Sequence, residues 1–231
     1  MGDQGHVFLR EKCTTHGNCA AVCPSKALEV VGRELTYDEV LDQVLRDQMF
    51  YETSGGGVTL SGGEPLLQID FAEELLRGVK KASVNTAVET AGHVTFDRLA
   101  RVAPYVDLFL FDIKDTNDAE HRKNTGVPNT RILQNLRELH DAGATILVRL
   151  PMIPGLNDRQ DHFEGVGRLL KPLTGLLGVE VMPYHSLGIS KRPRFGFEAD
   201  GGNDPEPPSG ETIAEWVATL REMGLKVLNE I

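Results

Sequence analysis

Gly62-Gly63-Glu64, inside the stretch SGGGVTLSGGEPLLQ, sets one carboxylate directly after bare backbone. Clustered glycine costs conformational entropy, so it marks backbone that turns sharply or lies close against something. A glycine turn at a strand end is also ordinary punctuation. Asp112 and Lys114 stand two apart in LFLFDIKD, so on extended backbone they project to one face. The apolar run before them places the pair near buried surroundings, where a lysine must be paired or lose its charge. A structural ion pair explains that spacing equally well. Arg149 closes ILVR and His185 closes VMPYH. An arginine can take a carboxylate or phosphate in bidentate fashion, although a lone arginine is more often a salt-bridge partner and a lone histidine is usually structural or solvated.

The three cysteines, Cys13, Cys19 and Cys23, fall within eleven residues, in CTTHGNCAAVCP. An odd, tight set is poor material for disulfides and suits a metal or iron–sulfur centre in a reducing compartment. The spacing places His16 where the bacterial ferredoxin run C-x2-C-x2-C-x3-C-P has its second cysteine. A zinc site at Cys13, His16, Cys19 and Cys23 is the rival metal reading, and a chance spacing the third.

These residues need elements to hold them. Apolar periodicity predicts a helix over residues 36–51, then strand 58–61, helix 69–81, strand 85–89, helix 95–102 and strand 106–114. Helix 129–143, strand 145–151, helix 159–170 and strand 178–185 follow. A Pro/Gly-rich loop over 186–210, helix 211–223 and a short strand at 226–228 close the chain. Strands that are apolar nearly throughout, alternating with helices, predict a parallel sheet covered by helices. Such crossovers make either a curling barrel or an open doubly wound sheet. Gly62-Gly63-Glu64, Glu89-Thr90, Asp112 with Lys114, Arg149 and His185 fall at successive strand ends, the rim where barrels keep their sites. That coincidence favours the barrel.

Composition bounds the rest. With 231 residues, 40% hydrophobic and 25% charged, the chain has enough apolar surface for one core. The net charge of −10 gives no general attraction for nucleic acid or an anionic membrane. No run is long enough to span a bilayer, and the N-terminal stretch lacks a signal-type apolar segment, so a cytoplasmic location is expected.

SGGEPLLQ, VETAG, LFLFDIKD, HRKNTGV, RLPMIPGLND and MPYHSLGISK, in this order, make the chain similar to the radical S-adenosylmethionine family. The likeness is to activating enzymes of glycyl radical enzymes, such as pyruvate formate-lyase activase. It implies an α/β fold, a partial (β/α) barrel over 36–231, with a ferredoxin-like iron–sulfur remnant over 1–35. S-adenosylmethionine would lie against a [4Fe–4S] cluster, and a 5′-deoxyadenosyl radical would take a hydrogen from a glycine of the partner enzyme. Reduced flavodoxin or ferredoxin is the implied electron donor, and anaerobic life the implied setting. Carried over motif by motif, Gly62, Gly63 and Glu64 would meet the methionyl ammonium. Asp112, Lys114 and His185 would hold the ribose and carboxylate, with Arg149 a weaker member, and Glu89 and Thr90 would help build a cation site. The family's C-x3-C-x2-C, which holds the catalytic cluster, is absent, and no cysteine follows Cys23. The expectation is therefore an N-terminally shortened barrel lacking its first strand, inactive alone and with an open edge at the first strand present. A non-catalytic binding remnant is the alternative, and an aldolase using Lys114 as a Schiff-base amine is the third reading.

Overall fold

The computed structural model describes residues 8–188 and 205–230. Five strands form one sheet: β1 (Gly57–Leu60), β2 (Asn85–Thr90), β3 (Leu108–Asp112), β4 (Ile146–Met152) and β5 (Gly178–Pro183). They lie in chain order and every neighbouring pair is parallel. Each crossover therefore steps in the same direction, which keeps the helices on one face and makes the arc of a (β/α) barrel. A doubly wound sheet would reverse its strand order at a switch point, and none is present among the described residues.

Strand alternation assigns the two faces. Val88 pairs with Phe109, and Phe111 with Val148, which in turn pairs with Val179. All five are essentially buried and belong to the main core. They face α4 (Ile69–Lys81), α5 (Phe96–Val102), α7 (Thr130–Asp141), α8 (Gln160–Leu170) and α9 (Gly210–Glu222), which supply Leu76, Leu99, Leu136, Leu169 and Trp216 to the same core. The opposite face is lined in register by Asp112, Arg149 and Glu180. It is the lumen of the arc, and it is charged.

The expected helix over 36–51 is two helices, α2 (Tyr37–Leu45) and α3 (Gln48–Ser54), interrupted at Arg46 and Asp47. Val40, Leu41, Val44 and Leu45 pack with Leu75, Val79 and Val84, while the Tyr51 hydroxyl donates to the Val44 carbonyl at 3.2 Å and folds α3 back. Helix α6 (Asp118–Thr125) was not anticipated, because DAEHRKNT has no apolar stripe and buries only His121. Capping starts it instead: the Asn117 side chain accepts from the Ala119 and Glu120 amides. The strand expected at 226–228 is a single parallel bridge, Val179 to Val227. Strand 106–114 is shorter than expected, so Lys114 lies beyond its end, and residues 189–204 of the expected 186–210 loop lie outside the described residues.

Contacts divide the described residues into two units, one of residues 8–36 with 187–188 and one of residues 37–186 with 205–230. The first holds one 3-10 turn (Arg10–Lys12) and the four-residue helix α1 (Asn18–Ala21).

Candidate cofactor cradle on the barrel rim

Strand β1 ends at Leu60, and Gly62 follows with φ +144°, a conformation open to glycine and strained for other residues. A methyl group added at Gly62 or Gly63 would meet nothing within 4 Å, so the backbone edge here faces open space that a side chain would fill. The Glu64 carboxylate is fixed from the protein side. Its Oε1 accepts from the Leu66 amide at 3.2 Å, capping the 3-10 turn Pro65–Gln68. Its Oε2 accepts from the Thr90 hydroxyl at 2.8 Å and the Ala91 amide at 3.1 Å. Arg98 of α5 donates to the carbonyls of Leu66 at 2.6 Å and Leu67 at 2.9 Å. Thr90 is buried and also accepts from the Gly92 amide, so it buttresses Glu64 from behind.

On the lumen face the charges interlock. Ser61 donates to Glu89 Oε2 at 3.1 Å, and Glu89 Oε1 lies 3.6 Å from Arg149 Nη1. Arg149 Nε donates to Glu180 Oε2 at 2.8 Å. Asp112 Oδ2 accepts from Lys114 Nζ at 3.4 Å. Burial pushes the Asp112 carboxyl above its usual range; Lys114 and Arg149 pull it down, and nearby Glu89 pushes it up further. Arg149 stands inside β4, three residues before its end at Met152, and not at the strand end expected of it. It still reaches the site because Asp112, Arg149 and Glu180 share one register level. His185 lies two residues beyond β5 and is exposed.

Sequence reasoning passed over Ser61 and Glu180. Glu180 had a signal: in Val179-Glu180-Val181 the valines face the helices, so the carboxylate must face the lumen.

The donor set fits S-adenosylmethionine, since carboxylates suit an ammonium and ribose hydroxyls, and Lys114 and Arg149 suit a carboxylate. It does not fit the catalytic cluster, because no cysteine follows Cys23. Nor are Cys13, His16, Cys19 and Cys23 gathered as four metal ligands. Among the described residues no three His, Cys, Asp or Glu side chains come together to hold a metal. Cys13 and Cys19 are exposed, and the His16 Nδ1 is engaged by the Asn18 amide at 3.3 Å, which turns the ring to α1. Cys23 is half-buried, and its thiol is drawn below the usual range by Ser25 and by the Leu28 amide.

The family described as the Radical SAM superfamily matches residues 18–165. The chain is 43% identical over 207 residues to the isethionate sulfite-lyase activating enzyme of Nitratidesulfovibrio vulgaris, covering 89% of this chain and 64% of that protein. It is 35% identical to the pyruvate formate-lyase 2-activating enzyme of Escherichia coli, covering 94% of this chain and 73% of that one. The structure of a domain of pyruvate-formate lyase-activating enzyme from Bacteroides vulgatus superposes with a TM-score of 0.62 at 26% identity, over 74% of this chain and 97% of that domain. The chain spans between 57% and 64% of the length of three of its most similar curated relatives. No helix among the described residues is long and apolar enough to cross a membrane.

Proposed function

The chain belongs to the Radical SAM superfamily, and we propose that its task is to hold S-adenosylmethionine on the barrel rim for the activation of a glycyl radical enzyme. One observation carries this reading: a carboxylate locked behind open glycine backbone stands on the same sheet as an interlocked set of lumen-facing charges. Glu64 accepts from the methionyl ammonium, with Gly62 and Gly63 letting the ligand lie against the main chain. Asp112, Lys114 and His185 bind the ribose and carboxylate, and Arg149 shares the carboxylate. Glu89, tethered by Ser61, supplies negative charge for a cation beside the ligand, and Thr90 keeps Glu64 aimed. The bound cofactor would supply radical chemistry only beside a reducing iron–sulfur cluster, whose ligands are not among the residues of this chain; these residues position the cofactor and shield its charges. The partner is a glycyl radical enzyme, a reading supported by relatives named as activating enzymes of lyases, a decarboxylase and a dehydratase, and reduced flavodoxin or ferredoxin is the electron source.

Calorimetric titration with S-adenosylmethionine tests the cradle. Wild type should bind, and Gly63→Leu and Glu64→Ala should each weaken binding about ten-fold or more, the scale of a lost charge-assisted contact. A wild-type chain that does not bind overturns the reading. The lack of a C-x3-C-x2-C run favours a second reading, a binder without turnover. On that reading the chain binds the cofactor but releases no 5′-deoxyadenosine after anaerobic reconstitution and dithionite reduction.

A further inference from the structure

We propose that Glu180 is a positioning residue, which holds the Arg149 guanidinium so that its free edge receives the carboxylate of the bound amino-acid moiety. The inference rests on the cradle reading above and adds to it a residue that no motif marks. Arg149 and Glu180 are direct partners in the parallel register of β4 and β5. The 2.8 Å bond from Nε to Oε2 fixes the guanidinium at its stem, where rotation of the group is set. On the other side Glu89, itself tethered by Ser61, faces Nη1 at 3.6 Å. Among the described residues Nη2 has no protein acceptor, and most of the group's N–H donors stay free.

A lumen arginine with a mobile side chain would lose rotamer entropy on gripping a ligand. Here that ordering is already made in the folded protein, so less is lost when a carboxylate arrives. Two carboxylates around one guanidinium also hold down the local positive charge. An isolated anion gains little from such a group. A ligand whose carboxylate accompanies an ammonium and a sulfonium gains more, because those cations meet Glu64, Glu89 and Asp112. The chemistry that matches is a cationic nucleoside bearing an α-amino acid.

The test uses the full chain and two probes. S-adenosylhomocysteine keeps the amino-acid carboxylate; 5′-methylthioadenosine lacks the amino acid altogether. Glu180→Gln should weaken S-adenosylhomocysteine about five- to thirty-fold while leaving 5′-methylthioadenosine within about two-fold, the scale of a misplaced charge-assisted pair. In an Arg149→Ala background the Glu180→Gln effect should vanish, as coupled residues require. Equal loss for both probes would make Glu180 a purely structural ion-pair partner and overturn the proposal. No loss for either, where wild type binds, would also overturn it. If wild type binds neither probe, this inference falls; if it fails to bind S-adenosylmethionine as well, the cradle reading falls with it, a result distinct from the other two. Thermal melts of each variant establish that the fold is retained.

Discussion

Asp112 shows how one residue trades stability against binding. Burial raises its carboxyl pKa more than Lys114 and Arg149 lower it. Between the unfolded and the folded value the folded chain holds more protons, so this residue's contribution to stability falls as pH rises through that window. At neutral pH the ionised group is a net cost, of the kind that binding sites carry. Asp112→Asn keeps the shape and removes the charge. It should raise Tm by roughly 1–2 °C, the equivalent of about half a kcal/mol in a chain of this size, while weakening nucleoside binding. Paired melts and titrations at pH 7.5 check both; a variant that melts below wild type would mean that the Lys114 pair outweighs burial. At this scale the sequence was informative where chemistry clusters. Gly62, Gly63, Glu64, Asp112 and Lys114 stand in local strings whose composition is itself a signal. Glu180 is a single charge in an apolar strand, and its meaning depends on which strand lies beside it, which local pattern does not record.

The elements were legible wherever burial wrote a period into the chain. Helix α4 places Ile69, Ala72, Leu75, Leu76 and Val79 on one face and was anticipated over its full length. Helix α6 was missed because it forms through an Asn117 cap and a glycine stop, Gly126 at φ +80°, with no stripe to detect. The loops that carry the rim are held by buried asparagines, which sequence alone reads as turn residues. Asn135 donates to the carbonyls of Gly92 and Val94, each at 2.8 Å. Asn157 is the more heavily used: it donates to the carbonyls of Lys114 at 2.8 Å and Pro151 at 2.7 Å, and accepts from the Ile153 amide at 2.7 Å. It ties the segment after β3 to the one after β4, so it sets where Lys114 begins. Asn157→Ala strands three backbone groups in a site only 3% exposed. Expected is a loss of about 2–4 kcal/mol in urea unfolding, with Lys114-dependent ligand affinity falling as well. A loss below about 0.5 kcal/mol, the range of ordinary surface substitutions, would show that the loops hold themselves.

The barrel unit is an arc, and the two edges of its sheet are finished differently. Strand order was legible only as a choice between barrel and doubly wound sheet, since periodicity gives strands and helices but not their neighbours. The outer side of β5 is covered by the C-terminal segment: the Val179 amide donates to Lys226 at 2.8 Å, and the Leu228 amide donates to Val179 at 2.9 Å. The Asn229 side chain then imitates a strand, accepting from the Val181 amide at 2.8 Å and donating to its carbonyl at 2.9 Å. On the outer side of β1 no strand pairs among the described residues. An open edge presents unpaired main-chain groups to another edge, so this chain should associate with a second copy through Gly57–Leu60. The net charge of −10 opposes that contact. Raising the salt from about 0.05 to 0.5 M shortens the screening length and should therefore strengthen association, opposite to the response of an interface built on ion pairs. Thr59 is exposed on the strand, and Thr59→Lys places a charge of the kind that natural edge strands use to refuse partners. Sedimentation velocity should show the wild-type coefficient rising with protein concentration and with salt. The Thr59→Lys variant should need about five-fold more protein for the same shift, a difference near 1 kcal/mol. A wild-type chain that sediments as one monomeric species at every concentration and salt would mean that this edge is not open to a second copy.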